Sequence, residues 1–103
     1  MDIVKTLYED LHDKYRITKY DYSRQWLKKS KGYMAYIHST NQRPSLEVLF
    51  ALYGQAIRQR QLWENSEKGK TGSEKAIYTQ HTDYFKKIEL RLEEEIRNQA
   101  LTM

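Results

Sequence analysis

Apolar residues over the first fifteen positions recur on one helical face. Ile3, Val4, Leu7, Tyr8, Leu11 and Tyr15 share it, and Glu9, Asp10 and Asp13 fall opposite. Asp2 stands where an N-cap carboxylate accepts from first-turn amides. "RITKYD" (16–21) breaks the period as a connector and offers Thr18 or Asp21 as the next cap. A short second helix is expected over residues 22–29, with Tyr22, Trp26 and Leu27 inward and Ser23, Arg24, Lys28 and Lys29 outward. "SKG" (30–32) ends it: Gly32 tolerates unusual backbone angles, and Ser30 can bond the free amides of the following turn. A third helix is expected over residues 33–40, anchored by Met34 and Ile37, three apart on one side.

Pro44 disfavours helix at Arg43, and Ser45 caps the apolar run that follows. The inner stripe of this fourth helix is expected to be Leu46, Leu49, Phe50, Tyr53, Ala56 and Ile57, and the helix to reach about Trp63. "NSEKGKTGS" (65–73) is polar and glycine-containing, the composition of a loop. From Glu74 to about Gln99 the residues Ile77, His81, Phe85, Ile88, Leu92 and Ile96 advance by three or four, and "RLEEEIRNQ" alternates charge on the outer face. No strand alternation or repeat interrupts the pattern. The expected fold class is all-α, with about five helices and a long C-terminal one. A chain of 103 residues is expected to form a single domain overall.

Composition narrows the class. The apolar fraction of 39%, with one Pro and four Gly, suits a compact helical protein rather than a disordered tail. The absence of Cys removes disulfides and thiolate metal sites. No run of eighteen apolar residues occurs, and the first fifteen residues are too acidic and periodic for a signal peptide, so a soluble, cytoplasmic protein away from membranes is expected. The net charge of +4 is mild but uneven. Residues 14–43 hold Lys14, Arg16, Lys19, Arg24, Lys28, Lys29, Lys31 and Arg43 against Asp21 alone, whereas acids outnumber bases in the rest. Such asymmetry suits a polyanionic partner for that segment.

Two short helices around a turn, the second carrying polar and aromatic residues, form a DNA-reading arrangement. Leu27, the "SKG" turn and Ile37 keep a helix-turn-helix register, and "RPSLEVLFALY" (43–53) follows as the entry to the fourth helix. Over about residues 20–57 the chain resembles the lambda-repressor-like helix-turn-helix family, as a divergent member. It departs from the family pattern at Leu27, where a small residue is usual, and at Lys31, which takes the turn glycine's place. The stretch from Ile37 to Pro44 is also short. The resemblance implies a helix-turn-helix head over residues 1–64, a loop at 65–73, and a C-terminal helix at 74–103 for packing or dimerisation. It further implies a sequence-specific, repressor-like transcriptional regulator of double-stranded DNA. Outward positions of the third helix, Tyr33, Ala35, Tyr36, His38, Ser39 and Gln42, would read bases. Gln42 suits adenine, Ala35 a thymine methyl, and Ser39 either edge, while Arg43 suits guanine or a phosphate. Ser23, Arg24, Lys28, Lys29 and Lys31 would hold phosphates. The plainer readings are that Tyr33 and Tyr36 are packing residues, His38 a surface histidine and Gln42 a helix-end cap.

Other chemistry is thin. "GKTG" (69–72) lacks the glycine a phosphate loop needs five residues earlier, where Glu64 stands. The three histidines fall far apart with no metal-ligand spacing, and no nucleophile sits beside a base. No enzyme activity, cofactor, metal or small-molecule ligand is expected. The last helix is expected both to fold back along the fourth and to pair with its copy in a homodimer; Phe85, Ile88, Leu92 and Ile96 are its expected dimer contacts, with Leu62 and Trp63 from the fourth helix. The alternative function is a protein-binding module, such as a phage-encoded inhibitor or adaptor, presenting a basic face rich in the nine tyrosines.

Overall fold

A computed structural model describes residues 2–39 and 43–102. The fold is all-α: α1 (Ile3–Tyr15), α2 (Lys19–Asp21) running into a π-helical turn (Tyr22–Trp26), α3 (Tyr33–His38), α4 (Leu46–Glu67) and α5 (Gly72–Leu101). No strand occurs among the described residues. The chain divides into two compact units, residues 1–52 and 53–103, with the boundary inside α4.

In the first unit, α1 begins as expected. The Val4 amide donates to Asp2 Oδ1 at 2.8 Å, and Thr6 Oγ1 donates to the Asp2 carbonyl at 3.0 Å. Ile3, Val4, Leu7, Tyr8 and Leu11 are buried. The helix closes on Arg16 in the left-handed region (φ 59), whose amide donates to the His12 carbonyl at 2.9 Å. Thr18 caps α2 by accepting from the Asp21 amide at 3.1 Å. Tyr22 is fully buried; its hydroxyl donates to the Val4 carbonyl at 2.8 Å, and its ring lies 5.4 Å from that of Tyr8. Trp26, Leu27, Met34, Ile37, Val48, Leu49 and Leu52 complete the apolar interior of this unit. Full burial of each Leu, Val or Met contributes about 1.5–3 kcal/mol.

In the second unit the later part of α4 and α5 form an antiparallel hairpin. Thr79 Oγ1 donates to Glu67 at 2.7 Å, Lys86 pairs with Glu64 at 3.7 Å, Arg60 Nε donates to Glu89, and the Tyr53 hydroxyl donates to Glu93 at 2.5 Å. Partners thus descend on α4 as they ascend on α5. Ala56, Thr82, Phe85, Ile88 and Leu92 are buried. Both helices are longer than the sequence suggests, so the connector shrinks to residues 68–71.

Two expected core residues face solvent. Phe50 is 56% exposed and Ile77 53% exposed. The start of α4 is apolar on nearly every side, so its period is plain but its phase is not. The buried set is Val48, Leu49, Leu52 and Ala56, and Leu46, Tyr53 and Ile57 are half-buried. Ile77 lies in the first turns of α5, where every residue from 72 to 77 is exposed.

Candidate nucleic-acid interface

The corner leading into α3 is built by the π turn. The Leu27 amide donates to the Tyr22 carbonyl at 3.0 Å, five residues back, which widens the helix by one residue. Lys28 then adopts the left-handed conformation (φ 57), and the Lys29 amide returns to the Ser23 carbonyl at 2.8 Å. This is a helix-ending closure one residue wider than the Schellman form, as the π turn requires. Gly32, expected to supply the unusual backbone angle, has φ −93 and is the N-cap of α3. The corner therefore spans residues 27–32, broader than the 3–4-residue turn of a helix-turn-helix.

Ser23 is not a phosphate contact. It is completely buried, and its Oγ accepts from the Met34 amide at 3.1 Å. Gly32 has no side chain to cap α3, so a serine from the preceding helix does so, with its backbone carbonyl and hydroxyl both engaged at the corner. Ser30 serves the same turn through its carbonyl, which accepts from the Tyr33 amide at 3.1 Å.

α3 is anchored through Met34 and Ile37, both buried, and presents Ala35, Tyr36, His38 and Ser39 to solvent. It ends at His38, two residues early, where the Ser39 amide and hydroxyl both donate to the Tyr36 carbonyl. Tyr33 is half-buried, with Lys29 Nζ 5.9 Å from its ring centroid and the Tyr36 ring 6.3 Å away. Burial pushes its phenol above the ordinary range; Lys29 opposes that, while Tyr36, Asp2 and Glu47 add to it. The edge of His38 meets Tyr8 at 6.3 Å. Arg43 is exposed, and Gln42 lies outside the described residues.

The cations divide into two kinds. Lys28 and Lys31 are exposed and form no ion pair with a described residue. Arg24 is exposed, donates to the Tyr20 hydroxyl at 3.0 Å and lies 5.7 Å from that ring's centroid. Lys29 is half-buried and pairs with Glu47 at 3.2 Å, so its charge is already answered. Tyr20 and Glu47 thus join the site unannounced. The Tyr20–Arg24 spacing of four on a helix was a usable signal. The Lys29–Glu47 pair, eighteen residues apart, gave none.

The expected dimer contacts fare differently. Phe85, Ile88 and Leu92 are buried within the chain, because α5 doubles back on α4 and that face finds its partner there. They are core, not a surface for a second copy. Ile96 and Trp63 are half-buried; Trp63 stacks on His81 at 4.2 Å and meets Tyr78 edge-on at 5.3 Å. Leu62 is exposed.

Among the described residues no cluster of three or more His, Asp or Glu side chains could hold a metal ion. No helix there is long and apolar enough to cross a membrane. The model of a family of unknown function, DUF6626, matches residues 4–103, and the chain belongs to that family. Neither a curated protein nor a solved structure matches it.

Proposed function

We propose that this member of DUF6626 is a sequence-specific, repressor-like regulator that sets α3 in the major groove of double-stranded DNA. The observation that carries the reading is the two-sidedness of α3, held by Met34, Ile37 and the Ser23 cap while Ala35, Tyr36, His38 and Ser39 stand in solvent. Six helical residues span about 9 Å, within a groove about 12 Å wide. Arg24, Lys28, Lys31 and Arg43, which flank α3 in the chain, are exposed. Lys29 contributes little net charge while Glu47 holds it.

Fluorescence anisotropy with duplexes selected from a random pool tests this. With one phosphate neutralised by each of the four exposed cations, log affinity falls against log salt with a slope of about −3.5 per protomer. Lys28→Ala with Lys31→Ala weakens every duplex alike. Ser39→Ala or Gln42→Ala relaxes preference at one base pair, by about 1–3 kcal/mol of discrimination. Salt-independent binding, or equal affinity for selected and random duplexes, overturns the reading.

A second reading, a protein-binding module such as an inhibitor or adaptor, is favoured by one observation: Tyr20 and Tyr36 are each about half exposed within this basic segment. Tyrosines so placed are common anchors in protein interfaces. The same titration separates the two, since this reading gives no salt-graded affinity for duplex.

A further inference from the structure

We propose that the solvent face of α5 is a self-association surface on which a second copy of this chain docks antiparallel, about a two-fold axis at Leu90. The inference is independent of the DNA reading. At 100° per residue, Asp83, Lys87, Leu90, Glu94, Arg97 and Leu101 fall within a stripe about 80° wide. All six are exposed, Leu90 at 65% and Leu101 at 77%. The stripe lies on the side of α5 away from Phe85, Ile88 and Leu92, so folding of the chain leaves it uncovered. Its alternating steps of four and three are those of a helix–helix seam.

The charges on this stripe are unanswered and ordered. Lys87 lies one turn beyond Asp83, and Arg97 one turn beyond Glu94, yet none of the four pairs with a described residue. In chain order the stripe runs negative, positive, leucine, negative, positive. Turning an identical stripe end for end about Leu90 brings Asp83 level with Arg97 of the second copy and Lys87 within one residue, about 1.5 Å, of Glu94 of the second copy. Leu90 then meets Leu90. Two-fold symmetry repeats each ion pair, so four form at once around one apolar contact. A parallel, in-register pairing would set Lys87 against Lys87 and Glu94 against Glu94, so charge selects the antiparallel form. A seam this rich in exposed charge associates weakly and loosens with salt.

Sedimentation equilibrium of the full chain over a concentration series, at low and high salt, provides the test. The expected result is a monomer–dimer equilibrium that shifts toward monomer as salt rises. Leu90→Asp sets two carboxylates against each other on the axis, and Lys87→Glu reverses an ion pair that occurs twice, so each raises the dimer dissociation constant at least about tenfold. The double variant Lys87→Glu with Glu94→Lys restores it to within about threefold, since the pair is re-formed with its signs exchanged. These positions are exposed, so circular dichroism stays at the parental helix content. The chain has no Cys, so Leu90→Cys supplies one thiol, which oxidation converts to a disulfide-linked dimer, whereas Lys75→Cys off the stripe does not. A monomer at every soluble concentration overturns the proposal. So does a dimer indifferent to Leu90→Asp, or a double charge exchange no better than the single one.

Discussion

The hydroxyl of Ser23 and the guanidinium of the adjacent Arg24 do opposite work. The first is buried and caps α3 through the Met34 amide; the second is exposed and leans on Tyr20. Ser23→Ala strands a buried donor, so the chain loses about 1–2 kcal/mol in a urea titration. Arg24→Ala changes stability by no more than about 0.5 kcal/mol and shows its effect in duplex affinity instead. An unchanged urea midpoint for Ser23→Ala would remove the cap from the account. Caps that reach two or three residues along the chain, Asp2 to Val4 and Ser45 to Val48, were legible in the sequence. The Ser23 cap reaches eleven residues across the corner and was not, because its partner is set by packing rather than spacing. Tyr15 adds a titration. Burial pushes its phenol from 10.0 up to about 12. The unfolded chain releases that proton first, so the stabilisation it brings is complete below pH 10 and is lost as pH rises toward 12. Tyr15→Phe should flatten that part of the alkaline stability curve, and an unaltered curve would deny the burial.

At the scale of elements, α3 cannot stand alone. Six residues are well short of what an isolated helix needs, so its shape depends on Met34, Ile37 and the corner that delivers them. That corner turns on Lys28, a side-chain-bearing residue in the left-handed region. The sequence offered Gly32 for the role, since glycine is the usual choice there. The helix instead closes directly after its π turn, with the reversal at Lys28, four positions before Gly32, and nothing local in "YSRQW" announces a π turn. Lys28→Gly should therefore raise stability by about 1 kcal/mol, as strain at a left-handed position is relieved. It should at the same time weaken duplex binding by removing a cation. Gly32→Ala should change stability in a urea titration by less than about 0.5 kcal/mol, since its φ of −93 suits alanine and no atom lies within 4 Å of the added methyl. The reverse order of the two variants would return the pivot to Gly32. The long helices were legible for the contrary reason: α1, and α5 beyond its exposed first turns, each carry one apolar face and one charged face, so period and phase are both written in them. In α4 the run "LEVLFALY" (46–53) offers apolar residues on too many sides, and packing alone decided that Leu52 turns inward and Phe50 outward.

At the scale of the whole molecule, the two proposed surfaces draw on separate stretches of chain. The DNA-facing residues belong to residues 24–43, in the first unit, and the self-association stripe to residues 83–101, in the second. Basic excess and self-complementary charge thus belong to different units, and the two activities should be separable by point substitution. Amide chemical shifts measure this directly. Adding duplex at low protein concentration should move Arg24, Lys28, Lys31, Ala35 and Tyr36, whereas concentrating the free protein should move Lys87, Leu90 and Glu94. Leu90→Asp should silence the second set and leave the first, and Lys28→Ala with Lys31→Ala should do the converse. Taken together, the two proposals give a dimer carrying two copies of α3, which gains on a duplex whose two half-sites are spaced so that both engage, because the second contact forms within one complex. Leu90→Asp should then bind the two-half-site duplex no tighter than a single half-site, while its affinity for the single half-site stays at the parental value. A variant that loses affinity for both duplexes equally would tie the stripe to DNA contact itself and end the separation argued for it.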